Sequence, residues 1–289
     1  MSGVHSSSRP CSLLRLITQS LVSAGSVSRT LRIAKTWARI AQYGSLRLYR
    51  LPSRICESAD LARIETLDRE IASVLECDPA SAAKYADYRF WIPFNIARVG
   101  ALSLHTSTPL RILDIGCAPG YFLAAARACG HMCCGIDAPA NILSAVENRV
   151  YSEMLAALAC DPFVSPLLIE RFVPLSLPCH DLDAITAFWI CFNRHRQLDE
   201  WGVSEWRFFV DDAVSHLRAG GSLHLELNPN PGRYHSLEWY DEETLAFFQS
   251  VGTVNRGTVR MSKFSLRNED KTEDRRSGCW ESYPRLSFM

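Results

Sequence analysis

Leu113-Asp114-Ile115-Gly116-Cys117-Ala118-Pro119-Gly120-Tyr121-Phe122 is the most informative stretch of this 289-residue chain. The short apolar run Arg111–Ile115 ends in a glycine bend, and helical spacing takes over from Pro119 to Ala128. A strand, a glycine turn and a helix in that order form the place where a doubly wound sheet presents its backbone to a nucleotide-like ligand. Glycine there removes the Cβ that would block close approach and permits backbone angles other residues avoid. The spacing is not that of the dinucleotide fingerprint, which would want glycine at 118 and glycine or alanine at 121. Here stand Ala118 and Tyr121, and a tyrosine would crowd a pyrophosphate on the helix N-terminus. A nicotinamide oxidoreductase is disfavoured on that ground.

Outward from this bend the pattern alternates. The sequence predicts strands over His131–Asp137, Leu167–Val173, Ala184–Cys191 and Ser222–Leu227, with another over Gly252–Met261. Helical spacing fills the intervals to Leu158, from Trp201 to Leu217 and from Asp241 to Ser250, and Arg218–Gly221 reads as a turn. Alternation of this kind predicts an α/β, Rossmann-like, doubly wound and mostly parallel sheet. Upstream, Leu61, Ile64, Leu67, Ile71, Val74 and Leu75 recur at helical spacing, Asp78-Pro79 breaks the run, and Ala80–Ile96 resumes it. These form an N-terminal helical cap over 57–105, before a ligand-binding domain over 106–266 and a polar tail over 267–289.

The stretch resembles motif I of the class I S-adenosylmethionine-dependent methyltransferases, in the variant Asp-hydrophobic-Gly-x-x-Pro-Gly. The resemblance extends over roughly 108–228. Asp137 ends the next strand, where the family places an acid on the ribose hydroxyls. Leu182-Asp183-Ala184-Ile185-Thr186-Ala187-Phe188 is similar to its fourth-strand motif, and Leu217–Leu223 to the turn into its fifth strand. The resemblance implies S-adenosylmethionine as cofactor and a methyl acceptor it does not identify, a small molecule or a protein side chain. It implies that Asp114, Gly116, Cys117, Ala118, Gly120, Tyr121, Phe122, Asp137 and Phe188 surround the cofactor. One departure stands out: the family often carries an acid after the third strand to meet the adenine amine, and Phe172-Val173-Pro174-Leu175 offers none.

Methyl transfer from a sulfonium is an in-line displacement, so the protein's main task is positioning. Acceptor groups are expected beyond the carboxyl ends of the strands. After the fourth strand, Asn193 could orient an acceptor and His195 could serve as a general base, although loop packing accounts for both. Asn228-Pro229-Asn230-Pro231 also lies at that end, and turn formation explains it equally well. Lys84 and Tyr85 in the cap could reach the cofactor's carboxylate, with packing as the simpler role. His131, Cys133 and Cys134 do not read as a metal site, since alternation along a strand splits the cysteines between two faces. Cys179-His180-Asp181 is adjacent in sequence only, whereas a triad is a spatial arrangement. A non-catalytic scaffold or sensor with the same fold is the alternative to an active enzyme.

Charge is balanced at 31 basic and 31 acidic residues but unevenly placed. Residues 1–56 hold nine cations and no acid, so they carry +9, and the remainder carries 22 − 31 = −9. A basic leader of this kind is compatible with an organellar targeting peptide, a nucleic-acid arm or sequence upstream of the natural start, and is expected to be flexible or weakly helical. The acidic remainder, without a basic stripe, argues against nucleic acid as the main partner. No apolar run approaches the roughly 18 residues of a membrane span. Eleven cysteines, with no CxxC and many inside apolar runs, suggest free thiols in a reducing, cytoplasmic compartment. Nothing in the sequence sets the oligomeric state.

Overall fold

The computed structural model describes residues 27–77, 82–177, 179–190, 192, 200–227, 241–255 and 257–262. The chain divides into two compact units, which it visits alternately.

The first unit gathers Met1–Ser107, Pro119–Gly130 and Ala145–Asp161. Its described part is helical: α1 (Val27–Gln42), α2 (Leu46–Ser58), α3 (Leu61–Glu70), α4 (Ala72–Cys77), α5 (Tyr88–Ala101), α6 (Tyr121–Ala128) and α7 (Ala145–Ala157). In α1, Ile33 and Ile40 are buried while Arg32, Lys35 and Arg39 are exposed. In α2, Leu48, Leu51 and Ile55 are buried and Arg50 is exposed. That is the one-sided stripe of a helix held by packing. The part of the leader from residue 27 onward is therefore helical and packed rather than weakly helical, and the boundary drawn at 56 falls inside α2. Residues 1–26 lie outside the described residues, as do Asp78-Pro79 and the tail over 267–289. Asp60 caps α3, its carboxylate accepting the Arg63 amide at 3.0 Å.

The second unit gathers Thr108–Ala118, His131–Ser144 and Pro162–Met289. Its strands are β1 (Arg111–Ile115), β2 (Met132–Asp137), β3 (Val164–Pro166), β4 (Leu182–Ile190), β5 (Leu217–Leu227), β6 (Thr253–Asn255) and β7 (Thr258–Ser262), with helices α8 (Val203–Ser215) and α9 (Glu242–Val251). They form one seven-stranded sheet in the order β3-β2-β1-β4-β5-β7-β6. The pairings from β3 through β5 are parallel, and β7 runs antiparallel to both β5 and β6. This is the expected Rossmann-like α/β class. A pure dinucleotide fold would place a parallel sixth strand beside the fifth; here an antiparallel β7 takes that position. Leu113, Ile115, Ile185, Ala187, Leu223 and Leu225 belong to the apolar core, together with Trp206, Phe209 and Phe248 from α8 and α9.

Four expectations are corrected. The third strand is not Leu167–Val173 but Val164–Pro166, because β2 ends at Asp137. The ladder closes with the Leu167 amide on the Asp137 carbonyl at 2.8 Å and has no partner backbone beyond. Gly252–Met261 is a hairpin of two strands, the break falling where Asn255 and Gly257 supply turn residues. The turn at Arg218–Gly221 lies inside β5 as an irregularity: Leu182 pairs with Leu217 and Ala184 with Ser222, so four residues of β5 face one of β4. Pro119 precedes α6 rather than opening it; Gly120, at φ 90°, is the capping residue.

Candidate cofactor-binding site

The sheet changes its winding direction at β1, which has β2 on one side and β4 on the other. Ligands of open α/β sheets bind outside the carboxyl ends of the strands at such a switch point. Three candidate groups of the second unit meet there. Asp114 is the penultimate residue of β1 and only 3% exposed. Its carboxylate accepts the Thr186 hydroxyl from β4 at 2.7 Å. Gly116 follows, with φ 67°, and its amide donates to the Ile136 carbonyl at 2.8 Å; the Cys117 amide donates to the same oxygen at 3.2 Å. Among the described residues, a Cβ built on Gly116 would meet only Ile190 Cγ2, at 4.0 Å.

Asp137 ends β2 with its side chain turned to the bend. One carboxylate oxygen accepts the Ala118 amide at 2.6 Å and the other the Ala138 amide at 2.6 Å. A carboxylate has about four lone-pair sites in all. Phe188 lies near the carboxyl end of β4, beside Glu226 of β5 and partly exposed. Cys117 is buried.

Gly120, Tyr121 and Phe122 belong to the first unit. A Cβ on Gly120 would lie 2.8 Å from Leu155 Cδ2 and 3.3 Å from Cys160 Cβ, so close packing as well as its positive φ requires glycine. Tyr121 and Phe122 are each 2% exposed, and the Tyr121 hydroxyl donates to the Tyr85 carbonyl at 2.7 Å. Burial holds the Tyr121 phenol well above its usual range, and the acids Asp87 and Asp68 push the same way. Lys84 stands over the Tyr85 ring at 5.1 Å, and that ring packs against Trp91 and Tyr151.

The weaker candidates resolve individually. Asn193, His195 and Asn228–Pro231 lie outside the described residues. His131 accepts the Leu110 amide on Nδ1 at 3.1 Å. Cys179 lies with its sulfur 3.0 Å from that of Cys134, and His180 faces His216 with their Nδ1 atoms 3.3 Å apart. Among the described residues no cluster of three His, Cys, Asp or Glu is placed to hold a metal ion, and no helix is long and apolar enough to cross a membrane. Two residues near these strands carry no signal of their own in the sequence. Thr186 was quoted only as part of a strand, and its hydroxyl could be assigned only once the register set it beside Asp114. With β3 ending at Pro166, the residues that follow it are Leu167–Glu170, so the acid past that strand is the exposed Glu170.

No protein-family model and no curated protein matches the chain. Solved structures similar to it include S-adenosylmethionine-dependent methyltransferases. One is an amino pentose methyltransferase of Micromonospora echinaspora involved in calicheamicin biosynthesis, 23% identical over 50% of this chain and 53% of that one, with a TM-score of 0.34. This likeness spans about half the length of that enzyme. A methyltransferase from Aquifex aeolicus is 16% identical over 56% of this chain and 87% of that one, at 0.36. Another from Archaeoglobus fulgidus is 20% identical over 53% and 65%, also at 0.36. The Rossmann-like class of this chain stands on its own strand order and alternation.

Proposed function

We propose that the chain is an S-adenosylmethionine-dependent methyltransferase whose acceptor is still to be identified. The observation that carries this is the Asp137 carboxylate at the tip of β2, turned onto the glycine bend at the switch point of the sheet. The cofactor, when bound, supplies an electrophilic methyl group on a sulfonium. Residues of this chain would do the holding. Asp137 offers two oxygens to a vicinal diol through charge-assisted bonds. Gly116 removes the side chain that would keep a ligand off the backbone. Asp114 places negative charge beneath the bend, where a cationic ligand gains from it, and Phe188 supplies an apolar wall. Positioning is most of what an in-line displacement asks of a protein.

Titration calorimetry with S-adenosylhomocysteine tests the reading. Micromolar binding is expected, falling about a hundredfold or more in Asp137→Ala, since two charge-assisted bonds are lost. Binding of NADH in its place would overturn the assignment. Transfer of a labelled methyl group to a metabolite or lysate panel then separates an enzyme from a cofactor-binding scaffold.

A further inference from the structure

We infer that Thr186 is a positioning residue of the cofactor site, acting through Asp114. The inference rests on the cofactor reading above and adds a residue that the resemblance does not assign. Register places the two side by side: Asp114 of β1 lies opposite Thr186 of β4 and, on its other flank, opposite Gly135 of β2. Laterally paired residues of a sheet share a face, so the carboxylate has a glycine, without a side chain, on one side and a hydroxyl on the other. The hydroxyl has a single proton to give. It stands 2.7 Å from Asp114 Oδ1 and 3.3 Å from the Leu113 carbonyl, so the carboxylate takes it.

Burial makes this contact consequential. Thr186 is fully buried and Asp114 nearly so, and a hydrogen bond to a charged group away from water is among the stronger ones. Threonine is branched at Cβ and therefore stiff at χ1, so its oxygen is held in place and fixes the plane of the carboxylate two residues before Gly116. Valine has the same shape without the donor. Serine keeps the donor and gives up only the methyl group.

The test is S-adenosylhomocysteine affinity and thermal unfolding of the full chain carrying Thr186→Val, Thr186→Ser, Asp114→Ala or the double change Asp114→Ala with Thr186→Val. Thr186→Val is expected to weaken binding about tenfold, the worth of one bond to a charged group, while Thr186→Ser stays within about threefold of the parent. In the Asp114→Ala background, where the acceptor itself is gone, Thr186→Val should have no further effect on affinity. A lower unfolding temperature in Thr186→Val with unchanged affinity would show a structural role alone and overturn the inference. Equal loss in Thr186→Ser and Thr186→Val would overturn it too, by assigning the effect to the methyl group. Should Thr186→Val not fold, Thr186→Ala against Thr186→Ser carries the same comparison. If the parent chain binds no S-adenosylhomocysteine, it is the cofactor reading that falls.

Discussion

Gly116 and Gly120 sit four residues apart with positive φ of 67° and 90°, yet they are glycines for different reasons. A side chain at either costs roughly 1–2 kcal/mol for the left-handed backbone. At Gly116 no described side chain comes closer to the new Cβ than Ile190 Cγ2 at 4.0 Å, so among the described residues that is the whole cost to folding. At Gly120 the new Cβ also meets Leu155 and Cys160 at 2.8 and 3.3 Å, and overpacking adds about 1–3 kcal/mol. Urea denaturation should therefore rank Gly120→Ala clearly below Gly116→Ala in stability. Calorimetry should find S-adenosylhomocysteine binding weakened at least about tenfold in Gly116→Ala, where the substitution fills ligand space. His224 carries a second prediction at this scale. It is buried on β5, paired in register with Arg260 and 2.8 Å from the Ser222 hydroxyl. Burial, then the Arg260 charge, lowers its pKa from 6.5 to about 4. Between those values the unfolded chain takes up a proton that the folded chain refuses. Stability then rises with pH across that window and falls as the pH drops from about 6.5 toward 4, by roughly 3 kcal/mol at most. Denaturation at pH 5 and 7 should show this slope reduced in His224→Gln.

Elements were legible in sequence where periodicity alone defines them and misread where tertiary partners do. β1, β2 and β4 are expected within one or two residues because each is a distinct apolar run, those of β1 and β2 ending at Gly116 and Asp137. The third strand was placed on Leu167–Val173, the more apolar run. The sheet instead uses Val164–Pro166, since strand length there is set by where β2 stops. Leu168, Phe172 and Val173 are accordingly left 45%, 53% and 48% exposed. The glycine bend after β1 is legible because its residues are contiguous; the Thr186 contact to Asp114 is not, because it lies in register across 72 residues of sequence. Arg47 at the start of α2 was invisible for the same reason. Its guanidinium donates to the His105 carbonyl and the Cys129 carbonyl, both at 2.8 Å, and so ties α2 to the ends of two other segments. A planar fork can serve two acceptors in fixed directions where an ammonium cannot. Arg47→Ala should cost about 1–2 kcal/mol in chemical denaturation, and Arg47→Lys should recover less than half of it.

At the scale of the whole chain, the cysteines test the folded state directly. Seven of the eleven, Cys56, Cys117, Cys129, Cys133, Cys134, Cys160 and Cys179, are free and buried among the described residues. They are distributed over both units: Cys56, Cys129 and Cys160 in the helical one, the rest in the sheet-containing one. Burial pushes the Cys129 thiol up to about 11 and the Cys160 thiol up to about 12. The thiolate is the reactive form, so these groups resist modification through both access and ionisation. Alternation along β2 turns Cys133 and Cys134 to opposite faces, and the sulfur that approaches Cys134 is that of Cys179. With these seven thiols unbridged, the unfolding midpoint should be the same with and without dithiothreitol. Under native conditions at pH 8, an aromatic disulfide reagent should modify no more than four of the eleven thiols quickly. The other seven should react only as guanidinium unfolds the chain, in the same transition that circular dichroism follows if the two units unfold together. Two separated steps, with three thiols released in one and four in the other, would instead show that the helical unit and the sheet unit lose structure independently.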